Sequence, residues 1–355
     1  GAILGVSIGS VISLLYMIIY KRRHYSELSA PYTAGIHDPN DTPDDDEFVD
    51  PAWKIVKDIL SIGIPIAFGA CIMAILNSID SKLCMNRLQS AAGFSYYEAK
   101  VLYGVYGKAQ TLFNLPAAFI TPLAIVPAIS GAIARRAHTD AAKIGEDSMR
   151  ISAVIGMPMG VGLTVLADPI MNVLYPNSNE AGPGLLAVMG IASFFVCVVL
   201  MENAILQASG KEKFTMITMI VGGLVKILVN WLLVAQRQIN IYGAPIGTLV
   251  SYITMTVLNF VFMYAVLDER PHLLRIFARP LISSLAMGAS AWAVYGLASR
   301  FIGSGWKQTA ASMLLSVIVA VVIYVVSVVA LRAVTSEDMK LIPGGEKIAK
   351  LLHIR

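Results

Sequence analysis

Lys226 lies near the middle of an apolar stretch, residues 214–235. On insertion scales an ammonium at the bilayer centre costs about 2.5–3.5 kcal/mol, which makes such a residue a functional candidate by default. Asn230 follows four residues later and therefore shares its helical face. Two readings fit this pair: an anion contact in a central water-filled cavity, or a buried ion pair with Glu202 on the preceding helix. Asn77 and Asp80 form a second group, with a spacing that places them on one face near the outer end of the stretch 59–78. The alternative for Asp80 is an interfacial helix end, where a carboxylate is cheap. In a third group, Lys108, Gln110, Thr111 and Asn114 make a polar entrance to a segment carrying Pro116, Pro122 and Pro127. Proline removes a backbone donor and kinks a helix, which suits a bent helix lining a pathway or one whose kinks serve packing alone. These seven residues, Asn77, Asp80, Lys108, Gln110, Asn114, Lys226 and Asn230, are the candidate substrate-binding set.

No enzyme constellation accompanies them. With five His, the chain has no HExxH, no Walker-type loop, no GxSxG and no paired-Cys motif. Cys71, Cys84 and Cys197 are too far apart for a metal-ligand cluster, so neither a metal nor a cofactor is expected. Without an ATP-binding loop, any transport must be driven by a gradient, by the membrane potential or by the substrate itself.

The elements that must position these residues are nine long apolar stretches: 1–20, 59–78, 111–134, 151–174, 184–207, 214–235, 241–267, 276–297 and 310–331. A stretch of about 20 apolar residues crosses a ~30 Å hydrocarbon layer as a helix with its backbone bonds satisfied internally. The composition agrees: 56% hydrophobic, 14% charged and a mean hydropathy of +0.69. A large soluble helical core would need amphipathic rather than all-round apolar helices. The expected fold class is an all-α membrane protein with nine transmembrane helices.

Most of the 27 Lys and Arg fall on one side of this arrangement when the first helix runs outside to inside and ends at Lys21-Arg22-Arg23. That assigns a multi-pass protein of the cytoplasmic membrane and reads the net charge of +4 as an orientation signal with some attraction for anionic lipids, not as a nucleic-acid surface. Residues 24–52, with Asp38, Asp41, Asp44, Asp45, Asp46, Glu47 and Asp50, form an acidic cytoplasmic linker; the offsets a calcium loop requires are absent. Trp53-Lys-Ile-Val-Lys-Asp-Ile resembles an interfacial ramp, and 336–355 an amphipathic cytoplasmic tail. The opening Gly1-Ala-Ile-Leu-Gly reads as the interior of a helix from a longer protein. Glycines recur at four-residue spacing at Gly1, Gly5 and Gly9, at Gly156 and Gly160, and at Gly243 and Gly247, a pattern that lets helices approach closely.

A run of motifs carries a family resemblance. Leu102-Tyr-Gly-Val-Tyr-Gly-Lys, Thr111-Leu-Phe-Asn-Leu-Pro-Ala-Ala, Pro122-Leu-Ala-Ile-Val-Pro-Ala-Ile-Ser and Ala132-Ile-Ala-Arg-Arg come first. Arg150-Ile-Ser, Gly156-Met-Pro-Met-Gly, Pro169-Ile-Met-Asn-Val-Leu-Tyr-Pro, Ile205-Leu-Gln-Ala-Ser-Gly-Lys, Lys226-Ile-Leu-Val-Asn and Ile241-Tyr-Gly-Ala-Pro-Ile-Gly-Thr follow in order. In this order the chain resembles polysaccharide biosynthesis proteins of the stage V sporulation protein B type. These are relatives of the MurJ lipid II flippases within the multidrug/oligosaccharidyl-lipid/polysaccharide exporter superfamily. The resemblance implies two six-helix lobes plus two extra helices. On that frame 1–23 is the last helix of a first lobe otherwise missing, 53–267 the second six-helix lobe, and 268–335 the additional C-terminal pair. Where MurJ-type proteins place an Arg shortly before Glu-Phe-Pro, this chain has Thr111 and Asn114, with Lys108 nearby.

The function implied is a flippase moving an undecaprenyl-pyrophosphate-linked sugar precursor across the cytoplasmic membrane, for peptidoglycan or surface-polysaccharide assembly, by alternating access. Its partners would be the lipid-linked sugar, membrane lipids and wall-synthesis enzymes. Two other readings stand beside it: a cation-coupled multidrug exporter of the same superfamily, which would want acidic cavity residues, and a non-transporting scaffold for wall synthesis.

The charge bias makes a testable topology. In a background lacking the native cysteines, Cys at position 238 should react with an impermeant thiol reagent applied to intact cells, and Cys at position 139 should not. Labelling of position 139 from outside would overturn the orientation.

Overall fold

The computed structural model describes residues 13, 15–17, 19, 20, 23, 52–120, 125–134, 138–176, 180–266, 273–303 and 305–333. The acidic linker, the C-terminal tail, Gly1, Gly5, Gly9 and Pro122 lie outside them. Two units are distinguished, Gly1–Val56 and Lys57–Arg355. In the first, the described residues before the linker are helical, and Tyr16 and Tyr20 stack with ring centroids 6.2 Å apart. That is the contact expected one helical turn apart.

From residue 52 on the described elements are helices, the first of which begins within the first unit. They are α1 (Ala52–Ser90), α2 (Tyr96–Phe113), α3 (Leu115–Ile120), α4 (Ile125–Ala134), α5 (His138–Val165), α6 (Ala167–Leu174), α7 (Ala181–Ala208), α8 (Glu212–Leu233), α9 (Gly243–Val266), α10 (Leu273–Ile302) and α11 (Trp306–Ala330). Six helical segments among the described residues are long and apolar enough to cross a membrane: Ala142–Val165, Ala181–Ala208, Glu212–Leu233, Asn240–Ala265, Ile276–Ile302 and Trp306–Ala330. The fold is an all-α membrane fold, as expected.

Three boundaries differ from the sequence reading, each for a local reason. The stretch 111–134 is not one helix. Pro116 has no N–H to give the Leu112 carbonyl, so the ladder stops at Asn114 and restarts with Ala118 N–H on the Asn114 carbonyl at 3.2 Å. The stretch 151–174 belongs to a helix that begins at His138 and breaks at Leu166, where Pro169 cannot donate to Val165. The stretch 59–78 continues to Ser90, giving a 39-residue helix about 58 Å long. Its polar end carries a buried stripe, Asp80, Cys84 and Leu88, that keeps one face on the bundle. α1 then closes where Gly93 (φ +78°) lets Phe94 N–H reach the Leu88 carbonyl at 3.0 Å. Ser95 and Glu98 form a reciprocal capping box that starts α2.

The bundle is packed in a way suited to lipid. On α11, Ser312, Ser316 and Ala320 are buried one turn apart, with Ser316 Oγ donating to the Ala291 carbonyl of α10 at 2.6 Å. Leu314, Ile318 and Val322, on another face of the same helix, are 56–62% exposed. Small polar residues inside and branched apolar ones outside are the reverse of a soluble helix, because lipid rather than water surrounds it. Glycines set the closest approaches. A Cβ on Gly160 would lie 2.8 Å from the Gly190 carbonyl, and one on Gly190 would lie 2.4 Å from Thr164 Oγ1. The Gly156/Gly160 face therefore seats α5 on α7.

Gly190→Val should force these helices apart and cost about 1–3 kcal/mol, lowering the melting temperature in detergent. Gly104, whose Cβ would meet nothing within 4 Å, is the control. Gly104→Ala should leave stability unchanged or raise it slightly.

Candidate functional site

α1 and α8 meet through a polar cluster. Lys226 Nζ of α8 lies 3.1 Å from Asp80 Oδ2 of α1, with the two side chains 11% and 5% exposed. The same ammonium donates to Asn77 Oδ1 at 3.3 Å. Asp80 Oδ1 accepts from Asn230 Nδ2, one turn along α8 from Lys226, and faces the Cys84 thiol at 3.8 Å. Two helices thus supply a carboxylate, an ammonium and two carboxamides, each with its opposite close by. Asn230 is fully buried, and its Oδ1 has no hydrogen-bond partner.

Small residues make this contact close enough. A Cβ at Gly223 would sit 2.2 Å from Leu76 Cδ1, and one at Gly247 of α9 would sit 1.9 Å from Asn230 Oδ1. Gly247 is the reason Asn230 can lie flat between α8 and α9. Beside the cluster, Leu76, Asn77, Gly223, Lys226, Ser251, Tyr252 and Met255 line a pocket of about 20 Å³, enough for one water. Behind it, Tyr106 of α2 and Thr248 of α9 share a buried hydrogen bond at 3.2 Å. Arg87 extends the α1–α8 contact outward, its Nε on the Trp231 carbonyl at 3.1 Å and its guanidinium 4.6 Å over the indole.

Four of the seven candidates, Asn77, Asp80, Lys226 and Asn230, are therefore brought together. The other three lie elsewhere on α2 and at its end. Lys108 Nζ stacks 5.3 Å over the Tyr175 ring. Gln110 is half-buried, with its backbone carbonyl accepting from the exposed Asn114 Nδ2 at 3.1 Å. Thr111 Oγ1 bonds the Gly107 carbonyl at 3.1 Å. Asn114 and Thr111 satisfy carbonyls of the broken helix end rather than face Lys226.

The partner of Lys226 is Asp80, not Glu202, and axial position explains why. Glu202 is six residues from the end of α7 at Ala208, about 9 Å along the axis, whereas Lys226 is fourteen residues from the start of α8 at Glu212, about 21 Å. The two ends join through a tight turn at Gly210, so the residues stand at different depths. Nor is Asp80 at a helix end, since α1 runs ten residues beyond it. Glu202 instead belongs to a second cluster with Asn203 and Asn259, which the sequence reading did not single out. The signal was present: three polar residues inside two apolar spans.

An apolar cavity lies apart from these charges. It measures about 650 Å³ among α5, α7, α9 and α10, with Phe194, Phe195, Phe260, Phe277, Leu281 and Leu285 among its nearly all-apolar lining.

An all-α bundle with lipid-facing apolar surfaces and polar groups gathered between helices is the build of a polytopic membrane protein. Solved structures agree at the level of fold. A transporter of the MOP superfamily from Pyrococcus furiosus superposes with a TM-score of 0.51 at 16% identity, covering 83% of this chain and 69% of that one. A MATE structure in the straight conformation gives a TM-score of 0.51 at 16% identity, covering 83% and 66%. The sequence profile of the family described as Lipid II flippase MurJ matches residues 2–341, and the chain belongs to that family. Among its relatives in Bacillus subtilis, the uncharacterized membrane protein YabM is 26% identical over 322 residues, covering 89% of this chain and 59% of YabM. Stage V sporulation protein B is 23% identical over 354 residues, covering 97% and 63%. Lipid II flippase MurJ is 22% identical over 280 residues, covering 76% and 50%. The chain thus spans about half to two thirds of the length of these relatives.

Gly247 gives a direct test of the cluster. Gly247→Ala should push the Asn230 carboxamide off Asp80 and cost about 1–3 kcal/mol of stability, read as a lower melting temperature. In an Asn230→Ala background the same change should cost almost nothing, because the clash has gone. Additive losses would mean that Gly247 acts independently of Asn230.

Proposed function

We propose that this chain forms part of a flippase for an anionic, lipid-linked sugar precursor, an undecaprenyl-pyrophosphate-linked sugar bound for peptidoglycan or surface polysaccharide. On this reading residues 53–267 are the second six-helix lobe and 268–335 the additional helix pair. The first helix belongs to a preceding lobe, and the lobes rock by alternating access. The observation that carries the proposal is Lys226, an ammonium held within a membrane span beside a water-sized pocket, in a chain of the MurJ family. The apolar cavity of about 650 Å³ suits a substrate with a hydrocarbon tail better than a fully soluble one. Energetics favour export. A pyrophosphate with about two negative charges leaves an inside-negative cell downhill by roughly 4–5 kcal/mol at 100 mV, from ~2.3 kcal/mol per charge. Wall-synthesis enzymes are the natural partners, since they consume the product at the outer face.

The test is rescue of a flippase-depleted strain, with membrane protein level measured alongside. Lys226→Met strands the Asp80 carboxylate, and breaking a buried pair in this way costs about 3–5 kcal/mol, so protein level should fall. Lys226→Met combined with Asp80→Asn removes both charges and should restore the level. If Lys226 binds the anionic headgroup, the double variant is present but does not rescue growth. Rescue by the double variant would make the pair purely structural and sink this role for Lys226.

A further inference from the structure

The second polar cluster lies inside the bundle, and its atoms do not balance. Glu202 and Asn203 of α7 and Asn259 of α9 are 0%, 4% and 0% exposed. Asn259 Nδ2 donates both its hydrogens, to Glu202 Oε2 at 3.2 Å and to Asn203 Oδ1 at 3.1 Å. Glu202 Oε1 and Asn259 Oδ1 are left buried without a hydrogen-bond partner. Both are acceptors, and neither receives a hydrogen bond.

The cluster is also short of a positive charge. On α7 and its neighbours α4, α5, α9 and α10, the buried residues Ile129, Met149, Met201, Ile205, Met263 and Ile276 form one apolar cluster. Besides Glu202, the titratable and charged groups whose side chains are described on those elements and on α8 are Lys143, Glu146, Asp147, Arg150, Cys197, Glu212, Lys213, Lys226, Tyr252, Tyr264, Arg279, Tyr295 and Arg300. Arg150 pairs with Asp147, and Arg279 donates to the Arg332 carbonyl at 2.9 Å. Among the described residues no ion pair includes Glu202, whose polar partner is the Asn259 amide. An ionised carboxylate held in an apolar interior without a cation is the arrangement proteins avoid.

We propose that Glu202, Asn203 and Asn259 form a proton-binding site between α7 and α9, with Glu202 holding the proton on Oε1. One proton answers both observations: it neutralises the carboxylate and turns the unpartnered Oε1 into an O–H donor, of the kind that the unpartnered Asn259 carbonyl oxygen can accept. The step is a plain protonation, in which a proton from the aqueous phase adds to a carboxylate oxygen and no other bond changes. A sodium ion fits less well. Its hydrogen-bonded side chains offer a single carboxylate and two amide oxygens, and no group of three or more His, Cys, Asp or Glu occurs among the described residues. Release of the proton leaves a charge that the α7–α9 contact does not compensate, so occupancy biases how these two helices pack. The inference stands apart from the flippase reading, because it needs nothing from Lys226 or from a substrate.

The experiment is pH-difference infrared spectroscopy on the purified protein in lipid nanodiscs. Wild type should give a carbonyl band of a protonated, water-excluded carboxyl, and Glu202→Gln should lose that one band while keeping the rest. Asn259→Ala should shift the same band by removing its hydrogen-bond partner. If Glu202→Gln does not accumulate, the Asn259→Ala spectrum decides: a shifted band supports the site, and an unshifted one overturns it. A Glu202→Gln spectrum identical to wild type also overturns it, as does a band that follows sodium concentration at fixed pH.

Discussion

Inside hydrocarbon a charge has to find its opposite, and the Asp80–Lys226 pair is where this chain meets that requirement most directly. Each partner makes the other tolerable, at a contact where α1 has only a narrow face on the bundle. The rest of the junction follows from it. Asn77 and Asn230 fill the remaining hydrogen-bonding positions of the two ions. Gly223 and Gly247 are small because helices must approach closely for a lysine to reach across without exposing its stem. Arg87 over Trp231 repeats the device towards the end of α1. Over its described part the long helix is pinned by this polar seam together with Cys84 and Leu88, which are buried in the core.

The two polar clusters differ in kind. At Asp80 and Lys226 the charges cancel and the pair borders a water-sized pocket, with the Lys226 side chain 11% exposed. At Glu202 no ion pair is formed among the described residues, and on the proposal above a proton completes the bonding. The exporter reading looked for acidic residues in the membrane, and the chain does contain one buried at Glu202. Its setting argues for proton chemistry at a helix–helix contact rather than for a drug-binding cavity, since the large apolar cavity is lined by other side chains.

How much of this was legible in the sequence depends on the range over which each signal is written. Membrane helices were legible because hydropathy integrates over about 20 residues, and single errors wash out. Their ends were not, because they turn on one residue. Pro116 and Pro169 each delete a single N–H, while the buried stripe of Asp80, Cys84 and Leu88 carries α1 past the point where its apolar run stops. Helical periodicity placed Asn77 with Asp80 and Lys226 with Asn230 correctly, as both pairs are local. That these pairs face each other is a contact across almost 150 residues, and no local pattern encodes it. Glu202 was the nearer carboxylate along the chain, yet depth in the membrane excluded it, a quantity that counting residues from the tight turn at Gly210 supplies.

The division between structural and switching contacts is also less sharp here than in a soluble core. Water drives apolar side chains together in a soluble protein, whereas lipid gives helices no comparable reason to associate. What remains is close approach at glycines, as between Gly160 and Gly190, and hydrogen bonding between polar side chains. Close approach is indifferent to pH and to charged ligands. Polar contacts are not, because adding one proton or one anion changes their energy directly. A bundle that relies on polar seams for its helix order thus places its sensitive groups in the same contacts that hold it together. Asp80–Lys226 joins α1 to α8, and Glu202–Asn259 joins α7 to α9. A charge arriving at either seam acts on the packing of whole helices.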